Sequence, residues 1–90
     1  VLQGAEVYHG VPILYSMGNL VASLPSETGL VRLSVGDQPR FEFFPASVRD
    51  NACQAVTGPA GRAAKRAFRE ACVAIQRKYP SPDSAAPVFR

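Results

Sequence analysis

Apolar positions alternate with a period of two over residues 30–44 and recur with a period of three and four after residue 58. Residues 6–8, a His9-Gly10 turn and residues 11–17 predict a first hairpin with glycine at the turn. The second arm, Val-Pro-Ile-Leu-Tyr-Ser-Met, is apolar on both faces and reads as a strand covered from both sides. Pro12 stands near its start, where a missing N–H is tolerated. Gly18-Asn19 breaks the run, and residues 23–29 have the composition of a loop. Residues 30–35 then alternate, with Val31, Leu33 and Val35 on one face and Arg32 and Ser34 on the other. A Gly36-Asp37-Gln38-Pro39 turn leads to residues 40–44, with Phe41 and Phe43 inward and Glu42 outward, ended by Pro45.

Beyond Thr57-Gly58, which offers a cap, Pro59 suits a first helical position. Ala64, Phe68, Ala71, Cys72, Ile75 and Tyr79 recur on one face of a helix over about 59–79, while Arg62, Lys65, Arg66, Arg69 and Lys78 take the other. Pro80 and Pro82 stop it, and the Pro/Ser/Ala-rich residues 81–90 form a tail, extended or mobile. The expected fold class is α+β: two antiparallel β-hairpins, strands within about 5–48, packed with one C-terminal amphipathic helix as a single unit over 1–80. Phe41, Phe43, Val31 and Leu33 should share a core with Ala64, Phe68, Cys72 and Ile75. No internal repeat is visible.

Ninety residues allow one domain, and 47% apolar content suits a folded chain. The longest apolar stretch, residues 11–17, is too short to cross a bilayer. The net charge of +3 is unevenly spread: residues 1–58 carry −2 and residues 59–90 carry +5. The basicity therefore belongs to the helix and tail.

Complete catalytic sets are not found. Ser16 follows an apolar strand, but a nucleophile elbow needs glycine two positions earlier, where Leu14 stands. The single histidine, His9, falls in a turn and supplies neither a triad nor a zinc site. Gly58-Pro59-Ala60-Gly61 lacks the Gly-Lys-Ser/Thr ending of a phosphate loop, and no carboxylate pair for glycoside hydrolysis stands out. Cys53 and Cys72 are too few for a disulfide framework; pairing in an exported protein and two buried free thiols both remain open. Arg62, Lys65, Arg66 and Arg69 are candidate polyanion contacts. No aromatic residue interleaves them for base stacking, so no specific nucleic-acid partner is expected.

Gln3, Gly4, Glu6, Tyr8, Gly10, Pro12, Ile13, Tyr15, Ser16, Gly18 and Asn19 stand at fixed spacing in residues 1–20. This stretch resembles a signature of the CapA family of poly-gamma-glutamate capsule synthesis proteins, which typically shows Val-x-Gln-Gly-x-Glu-x-Tyr, Gly-x-Pro-Ile and Tyr-Ser-Leu-Gly-Asn-Phe. Met17 and Leu20 replace the commoner Leu and Phe. The resemblance covers about a quarter of the chain as a reading of pattern. It implies the C-terminal portion of a calcineurin-like metallophosphoesterase β-sandwich, with the metal-ligating residues of the family upstream of Val1. On that reading the chain carries no catalytic residue, metal ligand or cofactor of its own, and the longer parent is either a metal-dependent hydrolase that would hold divalent metals or a degenerate relative that binds polymer. Tyr15, Ser16, Gly18 and Asn19 would edge the site. The implied partners are the N-terminal part of the same protein, an anionic polymer, and a second copy paired through the exposed strand. The implied location is the bacterial cell envelope, membrane-anchored or extracytoplasmic. The other function class is a non-catalytic module that packs or binds polyanions through the basic helix.

Overall fold

In a computed structural model of the chain, residues 3–17 and 26–90 are described. Strands β1 (Ala5–Tyr8) and β2 (Val11–Leu14) pair antiparallel from Ala5–Leu14 to Tyr8–Val11. His9 (φ 50°) and Gly10 (φ 76°) both lie in the left-handed region, as a two-residue turn matched to strand twist requires. Strands β3 (Ser26–Ser34) and β4 (Arg40–Arg49) pair antiparallel along their whole length. The helix α1 spans Gly58–Lys78. The fold is α+β, as its periodicities predict, with two hairpin-built sheets against one helix.

Several elements differ from expectation. Residues 26–29 are strand rather than loop, because Thr28 and Gly29 pair with Ala46 and Pro45. Thr28 is buried and donates Oγ1–H to the Met17 carbonyl at 2.5 Å, a tertiary contact that outweighs local composition. Strand β4 runs on through Pro45, whose carbonyl accepts the Val56 N–H at 3.0 Å. Asp50 (φ 51°) and Asn51 (φ 61°) then turn the chain into β5 (Ala52–Ala55), which pairs with residues 46–49. Asn and Asp are the residues that best tolerate that backbone region outside glycine. Val35 lies past the end of β3 and is 85% exposed. Tyr79 ends the helix exposed instead of extending its buried face. Thr57 is extended and makes no side-chain cap; its carbonyl accepts the Gly61 N–H at 3.1 Å.

The tail is extended but docked. Strand β6 (Ser84–Ala85) pairs antiparallel with β1, and β7 (Val88–Phe89) pairs parallel with β4 at Arg40 and Phe41. One sheet thus has the order β2-β1-β6, and the other places β3 on one edge of β4 with β5 and β7 on its other edge. Among the described residues strand β2 is an edge, and with Val11 and Leu14 exposed it is not the strand covered on both sides that its composition predicts. Tyr8 and Val11 close the two-residue turn as a hydrogen-bonded pair, so Pro12, one step along, faces the outer edge. There its missing N–H weakens the strand as a pairing template.

Ala5, Phe41, Phe43, Phe68 and Cys72 form the buried core, with Val7, Met17, Val31, Leu33 and Phe89 packed against it. Phe43 and Phe68 stack at 4.2 Å with their planes 3° apart. The Phe68 ring also meets Phe89 edge-on at 6.0 Å. Ala64 and Ile75, expected inside the core, are half-buried at its margin. Gly4 is fixed by proximity: a Cβ there would fall 2.8 Å from the Ala71 C and Cys72 N backbone atoms.

Candidate functional site

The signature segment and the end of the chain meet over the C-terminal half of α1. Glu6 lies in β1 between buried Ala5 and half-buried Val7, and is itself 8% exposed. A carboxylate so placed needs donors. Tyr15 supplies its hydroxyl, and Ser84 of β6 donates Oγ–H to the other carboxylate oxygen at 2.6 Å. Gln76 of α1 donates its amide N–H to Ser84 Oγ at 2.7 Å, so one chain of contacts joins both arms of the first hairpin, the helix and the tail. The Ser84 hydrogen bond first, and then that of Tyr15, hold the Glu6 carboxyl below its ordinary value against the opposing effect of burial. The same bond to Glu6 raises the Tyr15 phenol, helped by burial and by the carboxylate charge.

The hydrogen bonds thus favour the ionised form of Glu6 and the protonated form of Tyr15. The arrangement is a clamp. Around it the surface is concave: Glu6, Tyr8, Ile13, Tyr15, Tyr79, Pro80 and Ser81 line an open cleft of about 570 Å³. Tyr15 and Tyr79 also line its neighbour of about 560 Å³, with Gln3, Gly4, Ala71, Ala74 and Ile75.

Of the four residues expected to edge a site, Tyr15 does line this cleft. The Ser16 carbonyl accepts the Gln3 N–H at 2.8 Å, across the hairpin and at the opposite end from His9. Gly18 and Asn19 lie outside the described residues. His9 is held at the surface, its N–H bonded to the Asp83 carbonyl at 2.9 Å and its Nε2 3.6 Å from the Asp83 carboxylate. Among the described residues no three of His, Cys, Asp and Glu converge as metal ligands. Cys53 is a free, exposed thiol in β5, whereas Cys72 is free and buried. Burial raises the Cys72 thiol, and its Sγ accepts the Ala5 N–H at 3.2 Å.

Arg62, Lys65, Arg66 and Arg69 are all exposed along α1, as the helical spacing predicts. Arg62 and Lys65 reach a shallow opening of about 360 Å³ beside Phe44, Pro45 and Val56. Arg69 lies over the Phe89 ring at 4.9 Å. Among the described residues none of the four makes an ion pair. The hub role of Glu6 and the parts of Gln76 and Ser84 were outside the sequence expectation. The one signal was a carboxylate in an otherwise apolar strand, opposite Ile13. Among the described residues no helix is long and apolar enough to cross a membrane. No protein family, curated protein or solved structure matches this chain.

Proposed function

We propose that this chain is the closing C-terminal region of a CapA-type protein of poly-gamma-glutamate capsule synthesis or export, and that its part there is structural. The observation that carries the reading is the Glu6 clamp, in which two residues of the signature segment, Glu6 and Tyr15, are bonded to each other and to Ser84. Other signature positions also have a packing role: Gly4 admits the helix backbone and Gly10 makes the turn. A segment whose residues serve to hold a hairpin on a helix suits the support of a site whose ligands come from elsewhere. On this reading the metal-dependent chemistry, with its divalent ions, belongs to the N-terminal part of the same envelope protein, and the Tyr15 cleft borders it.

The experiment is metal analysis and phosphodiester turnover on the longer protein, alongside the same measurements on this chain alone. Bound metal and turnover in the longer protein, both absent from the chain, are the expected outcome. Stoichiometric metal or turnover in the chain alone would show that the support role is wrong. A second reading, that the module binds an anionic polymer, is favoured by the four helix cations, none of which makes an ion pair among the described residues. It predicts binding of poly-gamma-glutamate that weakens as salt shortens the Debye length.

A further inference from the structure

All three tyrosines of the chain, Tyr8, Tyr15 and Tyr79, line the cleft of about 570 Å³, and none of its phenylalanines does. Burial does not explain the grouping, because all three are exposed. Register explains how two of them meet. Tyr8 is two positions from Glu6, Ile13 stands opposite Glu6, and Tyr15 is two positions beyond Ile13 with its N–H on the Gly4 carbonyl at 3.3 Å. Alternation therefore sets these four on one face of the first hairpin, while Ala5 and Val7 take the other face toward the core. The end of α1 adds Tyr79. Each ring has a neighbour that orders it: Glu6 holds the Tyr15 hydroxyl, His9 meets Tyr8 edge-on at 4.5 Å, and the Lys78 ammonium lies 5.6 Å over Tyr79. Tyr15 and Tyr79 continue into the adjoining cleft of about 560 Å³, over Gly4, Ala71 and Ala74.

The free polar groups here are mainly donors. The Tyr8 and Tyr79 hydroxyls carry no hydrogen bond among the described residues. Both Glu6 oxygens already accept one, and the Ser81 hydroxyl accepts the Asp83 N–H at 3.2 Å. Glu6 is the only charged side chain lining either cleft.

We propose that the two clefts together bind a proline-rich peptide in the polyproline conformation, with a basic residue flanking the prolines. Proline brings a carbonyl acceptor and no N–H, so it can satisfy the tyrosine hydroxyls without burying a donor that lacks a partner. A peptide of ordinary residues carries one N–H per residue into a site with few free acceptors, and a sugar needs directed pairs that the lining does not offer. The polyproline helix is already extended, so it loses little freedom when its rings lie against exposed aromatic faces. The charge of Glu6 favours a basic flanking residue over an acidic one. This binding goes beyond the support role given above, and it needs neither a metal nor the rest of a longer protein.

Tyrosine fluorescence reads the site directly, since the chain has no tryptophan and its tyrosines all line the cleft. The test titrates this chain with an acetylated, amidated hexaproline carrying one arginine. The comparison ligands are the peptide with alanines for prolines, the hexaproline carrying glutamate for arginine, and cellotriose. The hexaproline with arginine should saturate, the glutamate form should bind about threefold more weakly, and the alanine peptide and cellotriose should not saturate. Calorimetry should show Tyr8→Ala and Tyr79→Ala each weakening the first ligand about tenfold, and Tyr79→Phe about threefold through loss of one hydroxyl bond. Phe44→Ala, which removes an exposed ring that lines neither cleft, should change binding less than about twofold. Melting temperatures check the fold of each variant, and Tyr79→Phe serves if Tyr79→Ala melts early. Absence of saturable binding, equal binding of the alanine peptide or cellotriose, or an equal effect of Phe44→Ala overturns the proposal. A tyrosine signal that shifts on diluting the chain alone also overturns it, by seating a second copy in the cleft. Equal affinity for the glutamate form overturns the pairing of a basic residue with Glu6.

Discussion

Where Phe68 meets Phe43, the helix is held by two stacked rings 4.2 Å apart; eight residues on, at Gln76, it is held by hydrogen bonds running through Ser84 to Glu6. The first half depends on volume and shape, which neither pH nor salt alters. The second depends on a buried carboxylate and its donors, and is therefore open to protons. The segment of residues 1–20 serves both halves: Ala5, Val7 and Met17 pack with the rings, while Glu6 and Tyr15 belong to the polar contacts.

The widest gap between the halves should appear on truncating a ring. Phe68→Ala removes a side chain 2% exposed and should cost about 3–5 kcal/mol in chemical denaturation, with the pH profile unchanged. A loss below about 1 kcal/mol would show that the stack is not the anchor. Next is Gly4→Ala, whose methyl meets helix backbone at 2.8 Å and should cost about 1–3 kcal/mol. A neutral result would mean that β1 can move off the helix freely.

Glu6→Gln sharpens the contrast through pH. The native carboxyl lies below its ordinary value of 4.5, so folding releases protons from Glu6 in that range. Its contribution is present above 4.5 and drains away as pH falls through the lowered native value. Tyr15 has the opposite sign: the phenol is raised above 10.0, so its contribution holds below 10.0 and is lost as pH climbs through the raised value. Urea midpoints measured from acid to alkali should therefore show both limbs flattened in Glu6→Gln, with a loss of about 1 kcal/mol at neutrality. Limbs identical to those of the parent chain would remove Glu6 from the account. The smallest effect is expected on the outer face of the helix, where Arg62→Glu with Arg66→Glu should leave stability within about 0.5 kcal/mol. A larger change would reveal a structural use for charges that have no ion pair among the described residues.

The half built on shape was the half legible in sequence. The alternation around Phe41 and Phe43 and the helical recurrence of Phe68 and Cys72 name the core directly, because burial imposes those periods. The polar half was not legible. Glu6 and Ser84 are 78 positions apart, and no local pattern ties a carboxylate in a strand to a serine in a proline-rich tail. The same holds for the contact of Arg69 with the Phe89 ring, which arrives through the parallel pairing of β7. Loop composition misled at Thr28 and Gly29 because strand pairing, a tertiary effect, settles such segments. Asp50-Asn51 did carry a turn signal, readable once a strand is allowed to continue past Pro45.

The docking of β6 on β1 has a consequence for the order of events in time. The two hairpins close short loops, whereas the Glu6–Ser84 contact closes a loop of 78 positions, whose larger ordering entropy must be met before the contact returns anything. It should form after the barrier to folding has been crossed. Ser84→Ala is then expected to leave the refolding rate nearly unchanged and to quicken unfolding in stopped-flow traces. Equal slowing of refolding would place the tail in the nucleus. On the expected result, the last strands act as a latch that sets how long the native state survives and has little influence on how fast it is reached.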